Sequence, residues 1–399
     1  MQKLKFILAF LFLPAILCGQ EFDFNVSFYN TQITLRADSG MMLNDQRMNA
    51  SAENVNKYYH AMVIAPVDPY IASLKKQRKK NGLNDWLMFD LMQQSAEVLF
   101  PNASQNYKTL FLWYIASEIG YDLELYLAGH NASILVRTKE TLYERDFYQK
   151  DDIYFVKIYP DERPRGQDFK YQRFIPPFDN TNAAPFSFLL DSLPVLTDEP
   201  VSRDLTFIHD DKNYSVSIKI NQNALDLTEH YPIVSQDFYF TVPLSHLALR
   251  EIKHAFSDYL KKRTVPEGLI FLLSFVRTAF IYEPDIIQFR SEFPFTAEQT
   301  LFFGKSDCED RSALFFQLVK TFYPEIPMIV LEFPEHVTVG VALPEASSLY
   351  PVMHKNRRYY ICEPTNPGNE LKLGQTTLAG QNYKIIYDWE PPVKKSSKR

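Results

Sequence analysis

Behind an apolar leader the chain begins to alternate. Phe22, Phe24, Val26 and Phe28 fall at every second position, and residues 22–35 read as strand. Helical periods then take over. Residues 68–79 close on a basic cluster ahead of Asn81-Gly82, a stop signal. Residues 84–100 carry Trp86, Leu87, Phe89, Leu91 and Met92 and end at Pro101. Residues 105–119 are apolar on most sides and end at Gly120, a residue suited to a C-cap. Strand patterns return at 123–127, 133–136 and 153–158.

The next stretch changes character. Prolines cluster at Pro176, Pro177, Pro185, Pro194 and Pro200, and the alternating runs 214–220 and 238–242 predict strands. Helical patterns at 244–262 and 266–280 follow. The pattern therefore predicts an α+β protein in parts. A leader occupies 1–19, an N-terminal α+β domain 20–165, a small β domain or linker 166–245, a second α+β domain 246–393, and a basic tail 394–399.

Composition narrows the function. Hydrophobic residues make up 46% and aromatics 15%, enough to fill more than one core in a chain of 399 residues. With 12 glycines, a glycine-rich phosphate loop is not expected, and a net charge of −6 argues against a nucleic-acid partner. Lys3 and Lys5 precede an apolar run at 6–17, and Cys18-Gly19-Gln20 offers a cleavage neighbourhood, the order of a secretory signal peptide. That run is short for a bilayer, so an exported protein, periplasmic or secreted, is expected. Lipid anchoring through Cys18 is disfavoured, because Leu17 stands where such signals carry a small side chain. Two cysteines then remain, Cys308 and Cys362, fewer than a disulfide-built secreted protein usually carries.

The chemistry concentrates in three short runs. Ser306-Asp307-Cys308-Glu309-Asp310-Arg311-Ser312 opens a helix pattern. Glu335-His336-Val337-Thr338-Val339-Gly340 opens a strand. Tyr359-Tyr360-Ile361-Cys362-Glu363-Pro364-Thr365 ends one. With Ser306 as N-cap, Cys308 stands at the second helical position, among amide groups with no partner inside the helix. The helix dipole there favours a thiolate, and the same amides suit an oxyanion. Asp307, Glu309 and Asp310 oppose the thiolate but complement the dipole, and capping suits them better than a metal role. No metal or other cofactor is expected.

Period two places His336, Thr338 and Gly340 on one face of their strand and Val337, Val339 and Val341 on the other. The valine face is expected in the core and the histidine face on the opposite surface. Glu363, before the strand-ending Pro364, is positioned to bond the histidine nitrogen turned away from the thiol. Alternation sends Cys362 to the other face, as a buried free thiol. Cys308, His336 and Glu363 together make a thiol nucleophile, its base and an orienting acid.

The first half follows a similar plan. Asn102-Ala103-Ser104-Gln105 sets against Ser306-Asp307-Cys308-Glu309, both read as capping boxes ahead of aromatic-rich helices. His130 then matches His336, and Tyr154-Phe155 matches Tyr359-Tyr360. On that alignment Ser104 replaces the cysteine and Lys157 replaces Glu363, which leaves a degenerate copy without chemistry. Two unrelated α+β domains sharing a helix–strand pattern are the other reading.

The three runs resemble the transglutaminase-like superfamily of papain-like cysteine enzymes, in particular exported transglutaminase-domain proteins of Gram-negative bacteria. The matching elements are Asp307-Cys308, His336-Val337 and Glu363-Pro364-Thr365, with Phe280-Ile281-Tyr282-Glu283 and Ala297-Glu298-Gln299-Thr300-Leu301 upstream. The resemblance covers residues 245–390. It implies a papain-like α+β core with Cys308 as nucleophile, His336 as general base and acid, and Glu363 as orienter. It also implies action on an amide bond of a protein or peptide, a cell-wall peptide among the options, with water or an amine as acceptor. The sequence departs from the family in carrying glutamate where aspartate is usual. It also lacks a tryptophan near the cysteine, which makes Tyr282 the candidate oxyanion donor. A catalytically inactive binding or scaffold protein of the cell envelope is the alternative. An adaptor acting through the central β region is a third, weaker reading.

Overall fold

The computed structural model describes residues 19–150, 153–160, 172–174, 183–290, 293–343, 351–365 and 371–392. The leader with Lys3, Lys5 and Cys18, the prolines Pro176 and Pro177, and the basic tail lie outside the described residues. The fold mixes helices and antiparallel sheets in an α+β arrangement. Among the described residues no helix is long and apolar enough to cross a membrane.

The chain first makes a hairpin, β1 (Glu21–Phe28) and β2 (Thr31–Asp38). Its two-residue turn, Tyr29-Asn30, has positive φ at both positions, the twist that suits a tight hairpin, and it breaks the single strand expected over 22–35 into two. Four helices follow: α1 (Ala52–Val63), α2 (Asp68–Asn81), α3 (Asp85–Leu99) and α4 (Gln105–Ile119). Gly82 and Gly120 close α2 and α4 in the left-handed conformation (φ 65° and 109°), as their sequence positions predict. Helix α4 is buried around most of its girth and lies under the first sheet. That sheet contains β3 (Leu123–Ala128), β4 (Asn131–Thr138), β5 (Phe147–Lys150), β6 (Ile153–Tyr159) and β7 (Gln172–Phe174), in the order β5-β6-β4-β3-β7.

The same succession then recurs. A hairpin of β8 (Pro200–His209) and β9 (Lys212–Asn221) turns at Asp210-Asp211, again with positive φ at both residues. Helices α5 (Gln222–Glu229), α6 (Asp237–Thr241), α7 (His246–Leu260) and α8 (Val265–Thr278) come next. After them the chain forms β10 (Ile281–Tyr282), α9 (Asp285–Gln288), α10 (Ala297–Phe303) and β11 (Lys305–Ser306). The long helix α11 (Cys308–Phe322) leads into the second sheet: β12 (Met328–Phe333), β13 (His336–Ala342), β14 (Val352–His354), β15 (Arg357–Cys362) and β16 (Lys384–Trp389). Its order, β14-β15-β13-β12-β16, matches that of the first sheet strand for strand.

Two more expectations need correction. Residues 238–242 are not a strand, because Phe238 to Phe240 turn as the short helix α6. Local apolar runs of this length fit either period, and burial among aromatic neighbours decides. Nor does the region 166–245 hold a separate core among its described residues. Leu205, Phe207, Ile218 and Ile220 of the hairpin pack into the second large core, against Phe256, Phe271 and Phe275. Tyr231, Val234 and Phe238 pack instead into the first. The connecting segment is thus divided between the two cores. Polar ties reinforce the join: Asn84 Nδ2 donates to Tyr231 Oη (2.7 Å), and Gln317 Nε2 donates to the carbonyl of Phe240 (2.7 Å).

The second sheet buries both faces. Val337, Val339 and Val341 face α11, as alternation predicts. The opposite face is not surface. Ile329, Leu331, Phe333, Val352, Tyr359 and Ile361 form a smaller core there, because the sheet curls until its outer strands meet through His354 and Asp388 (2.9 Å). Gly340 lies inside this curl, where a Cβ would stand 2.8 Å from Ile329 Cγ1. Gly340→Ala is expected to lower the unfolding free energy by about 1–3 kcal/mol. Urea denaturation checks this, and an unchanged midpoint would refute the close packing.

Candidate active site

The site assembles where α11 begins. Ser306 does not cap this helix. Its backbone pairs with Tyr282 in the parallel β10–β11 bridge, and its hydroxyl accepts from Arg311 Nε (3.1 Å). Asp307 takes the cap instead. Its side chain accepts from the amide of Asp310, whose own carboxylate accepts from the Asp307 amide (3.3 Å). Cys308 is therefore the first helical residue, one place earlier than the sequence suggests. The shift leaves it among the free amides of the helix end.

His336 starts β13, directly after the tight connection from β12. Its Nε2 lies 3.0 and 2.9 Å from the two carboxylate oxygens of Glu363, which straddle it. Glu363 is itself held. The Thr365 amide donates to Oε1 (3.1 Å), and Arg277 Nε donates to its backbone carbonyl (2.7 Å). The extra methylene relative to aspartate thus does not prevent the acid from reaching the ring. With Nε2 taken, Nδ1 is the nitrogen left for a thiol.

The strand and the helix are fastened together. Ser312 Oγ donates to the carbonyl of Val337 (2.9 Å), and the Val337 amide donates to Cys308 Sγ. These bonds bring the cysteine next to the first residues of β13. No hydrogen bond joins Cys308 to His336. The thiol donates instead to Glu309 Oε2, at 3.0 Å.

This contact reverses the expected electrostatics. Burial pushes the Cys308 thiol upward, and the Glu309 charge and hydrogen bond push it further. A helix end lowers a thiol, but here burial and the adjoining Glu309 outweigh it. Burial also raises Glu309 to about 8, with Asp307 adding to the effect. Asp310 is driven well above the carboxylate range by burial, then by Asp307, Glu309 and Asp285. Tyr282 lies half exposed at the rim with the Arg311 guanidinium over its ring (5.4 Å). Burial, followed by the charges of Cys308 and the acids, raises its hydroxyl to about 12, so it remains a donor.

Sequence reasoning did not find the braces of this site. Arg311 is wholly buried and donates to Ser306 Oγ and to the carbonyls of Arg277 (3.3 Å) and Phe280 (2.7 Å). The signal was present as a lone cation at the start of an apolar helix. The carboxylates of Asp285, Asp307 and Asp310 lie within 4.8 Å of one another and are the residues able to converge on a cation. They accept from the amides of Phe293, Asp285 and Phe295 (2.6, 3.2 and 2.7 Å), so in this structure the cluster ties the 285–295 neighbourhood to the helix start.

No protein-family model, curated protein or solved structure matches this chain.

The first sheet has different residues at the corresponding places. Gln105 is the first residue of α4, where α11 has Cys308. Asn131 opens β4, where β13 has His336. Ile134 pairs with Tyr159 as Val339 pairs with Cys362, so Pro160 follows where Glu363 stands. Ser104, His130 and Lys157, aligned from sequence, are therefore not the topological counterparts. Ser104 is the N-cap of α4, His130 lies in the β3–β4 turn, and Lys157 is inside β6. The sequence match slips because a strand's register is set by pairing partners, not by spacing.

A carboxyl held high in the native state remains protonated while its unfolded counterpart ionises. It therefore costs stability as pH rises from the ordinary 4.5 to about 8 for Glu309, with the full cost present above that. Glu309→Gln is expected to raise the melting temperature relative to wild type at pH 9 and to leave it nearly unchanged at pH 4. Equal shifts at both pH values in thermal melts would contradict the assignment.

Proposed function

We propose that this protein is a thiol-dependent enzyme acting on amide bonds through a thioester, with Cys308, His336 and Glu363 as its triad. The observation that carries the reading is the His336 ring clamped by both oxygens of Glu363, on a strand whose next amide is bonded to Cys308 Sγ. Nδ1 of His336 takes the thiol proton, and the sulfur attacks the carbonyl carbon. The oxyanion that forms is held by amides at the start of α11 and by the Tyr282 hydroxyl. The C–N bond breaks as His336 returns the proton to the departing amine, leaving a thioester. Water then gives the carboxylic acid, as in a peptidase or amidase, and a second amine gives a new amide. The leader fits export, and a peptide of the cell envelope is the substrate class in keeping with it.

The order of elements also fits a transglutaminase-like, papain-like core in the second half. The matching order of the first sheet, with Gln105, Asn131 and Pro160 at the corresponding places, fits a degenerate copy. One observation favours the rival reading of a binding protein without turnover, namely the bond from the Cys308 thiol to Glu309.

Alkylation separates the two. His336→Ala is expected to slow iodoacetamide labelling of Cys308 at pH 7 by at least about tenfold, and Cys308→Ala to abolish it. Incubation with cell-envelope extract is expected to leave an acyl adduct on Cys308, detected by mass spectrometry. A labelling rate indifferent to His336, with no adduct trapped, would favour the binding protein.

A further inference from the structure

We propose that helix α9 and the open edge of β10 form a docking strip for an extended peptide substrate. Ile286 and Ile287 receive an apolar side chain of that peptide close to the carbonyl under attack. The inference rests on the enzymatic reading above and narrows its substrate class. What carries it is a helix turned inside out. Asp285 of α9 is 1% exposed, while Ile286 and Ile287 beside it are 60% and 68% exposed. Gln288 turns back and donates to the carbonyl of Glu283 (2.9 Å). A surface helix that serves only the fold buries its apolar side and exposes its polar one. Isoleucine is also a weaker helix former than the straight-chain polar residues suited to exposed positions. Local folding thus gives no reason for this pair. Single exposed apolar residues are ordinary, whereas adjacent ones on a helix whose acid is buried mark a contact surface.

The inverted helix is fastened to the site. The Asp285 amide donates to Asp307 Oδ2 (3.2 Å), on the residue just before Cys308. Asp285 Oδ2 in turn accepts from the amide of Phe293 (2.6 Å). The buried acid therefore sets where the two isoleucines stand, at the rim beside the nucleophile. Phe289, just past the helix, packs its ring against Phe295 (5.6 Å) and secures the other end.

The main chain next to α9 identifies the occupant as a peptide. Ile281 and Glu283 direct their amides to the carbonyls of Gly304 and Ser306 (2.9 and 3.1 Å). Alternation along the strand then directs the Tyr282 amide and carbonyl to the opposite edge of β10. Among the described residues no strand pairs with that edge. An extended peptide adds there as a further strand, bonding to the main chain of Tyr282. A lipid tail offers those groups nothing. Tyr282 also carries the hydroxyl assigned to the oxyanion, so a peptide paired with it passes the thiol. Helix α9 begins two residues beyond β10, which brings a side chain of that peptide against Ile286 and Ile287.

Two pairs of thiol reagents test this on the full chain. Chloromethyl ketones of acetyl-Leu-Leu-Gly and acetyl-Ser-Ser-Gly probe the acyl side of the carbonyl. Chloroacetyl-Leu-Leu amide and chloroacetyl-Ser-Ser amide probe the leaving side. In at least one pair the leucine reagent is expected to alkylate Cys308 at least about tenfold faster, as burial of a leucine side chain implies. Ile286→Ser combined with Ile287→Ser should equalise that pair while leaving the iodoacetamide rate and the melting temperature unchanged. Ile286→Leu combined with Ile287→Leu should keep the preference. N-methylation of the leucine amides should slow the preferred reagent, and a rate equal to its parent's overturns the strand pairing. Equal rates in both wild-type pairs, or a preference indifferent to the serine variant, overturn the docking strip. The triad still stands in that case if His336→Ala slows iodoacetamide. Phosphatidylglycerol vesicles bound by wild type and not by the serine variant, with no reagent preference, would assign the strip to a membrane and overturn the peptide. If His336→Ala leaves every rate unchanged, the enzymatic reading fails and this inference fails with it.

Discussion

A helix buried on every side can start only where its free amides find partners inside the protein. Helix α11 is such a helix, with residues from Glu309 to Val319 out of solvent. Its opening turn is consequently dense in polar side chains that satisfy one another. Asp307 and Asp310 cap reciprocally, Asp310 and Asp285 hold the amides of Phe295 and Phe293, and Arg311 reaches back to Ser306, Arg277 and Phe280. The position of the cysteine follows from this network. So does the approach of β13, which is bonded to the same turn through Ser312.

That enclosure also sets the chemistry. A helix end favours a thiolate by a modest amount, typically 0.3–1 kcal/mol for a charge at an exposed end. Removing a charged group from water outweighs it, and Glu309 adds repulsion. The sulfur is thus held as a thiol in a site that has a clamped histidine beside it.

The two halves illustrate how little of a fold depends on its chemistry. Both run from a hairpin through helices to a long buried helix and an antiparallel sheet, in the same strand order. Hydrophobic burial and hairpin turns suffice for that plan. The halves differ at three positions, the helix start and two strand ends, with Gln105, Asn131 and Pro160 in the first and Cys308, His336 and Glu363 in the second.

Sequence alone determined the local periods: the alternation at Phe22–Phe28, the helices capped at Gly82 and Gly120, and the valine face of β13. It also determined that cysteine, histidine and glutamate occupy a helix start and two strand ends. Tertiary structure decided which residue caps α11, since that depends on Ser306 being drawn into a β bridge and onto Arg311. It decided that the histidine face of β13 is buried, because the sheet curls, and that the 200–221 hairpin belongs to the second core. It also decided that the thiol meets Glu309 before it meets His336. Periodicity reports which face of an element is apolar. What lies against that face, and which donor finds which acceptor, is fixed only by chain segments far away in sequence.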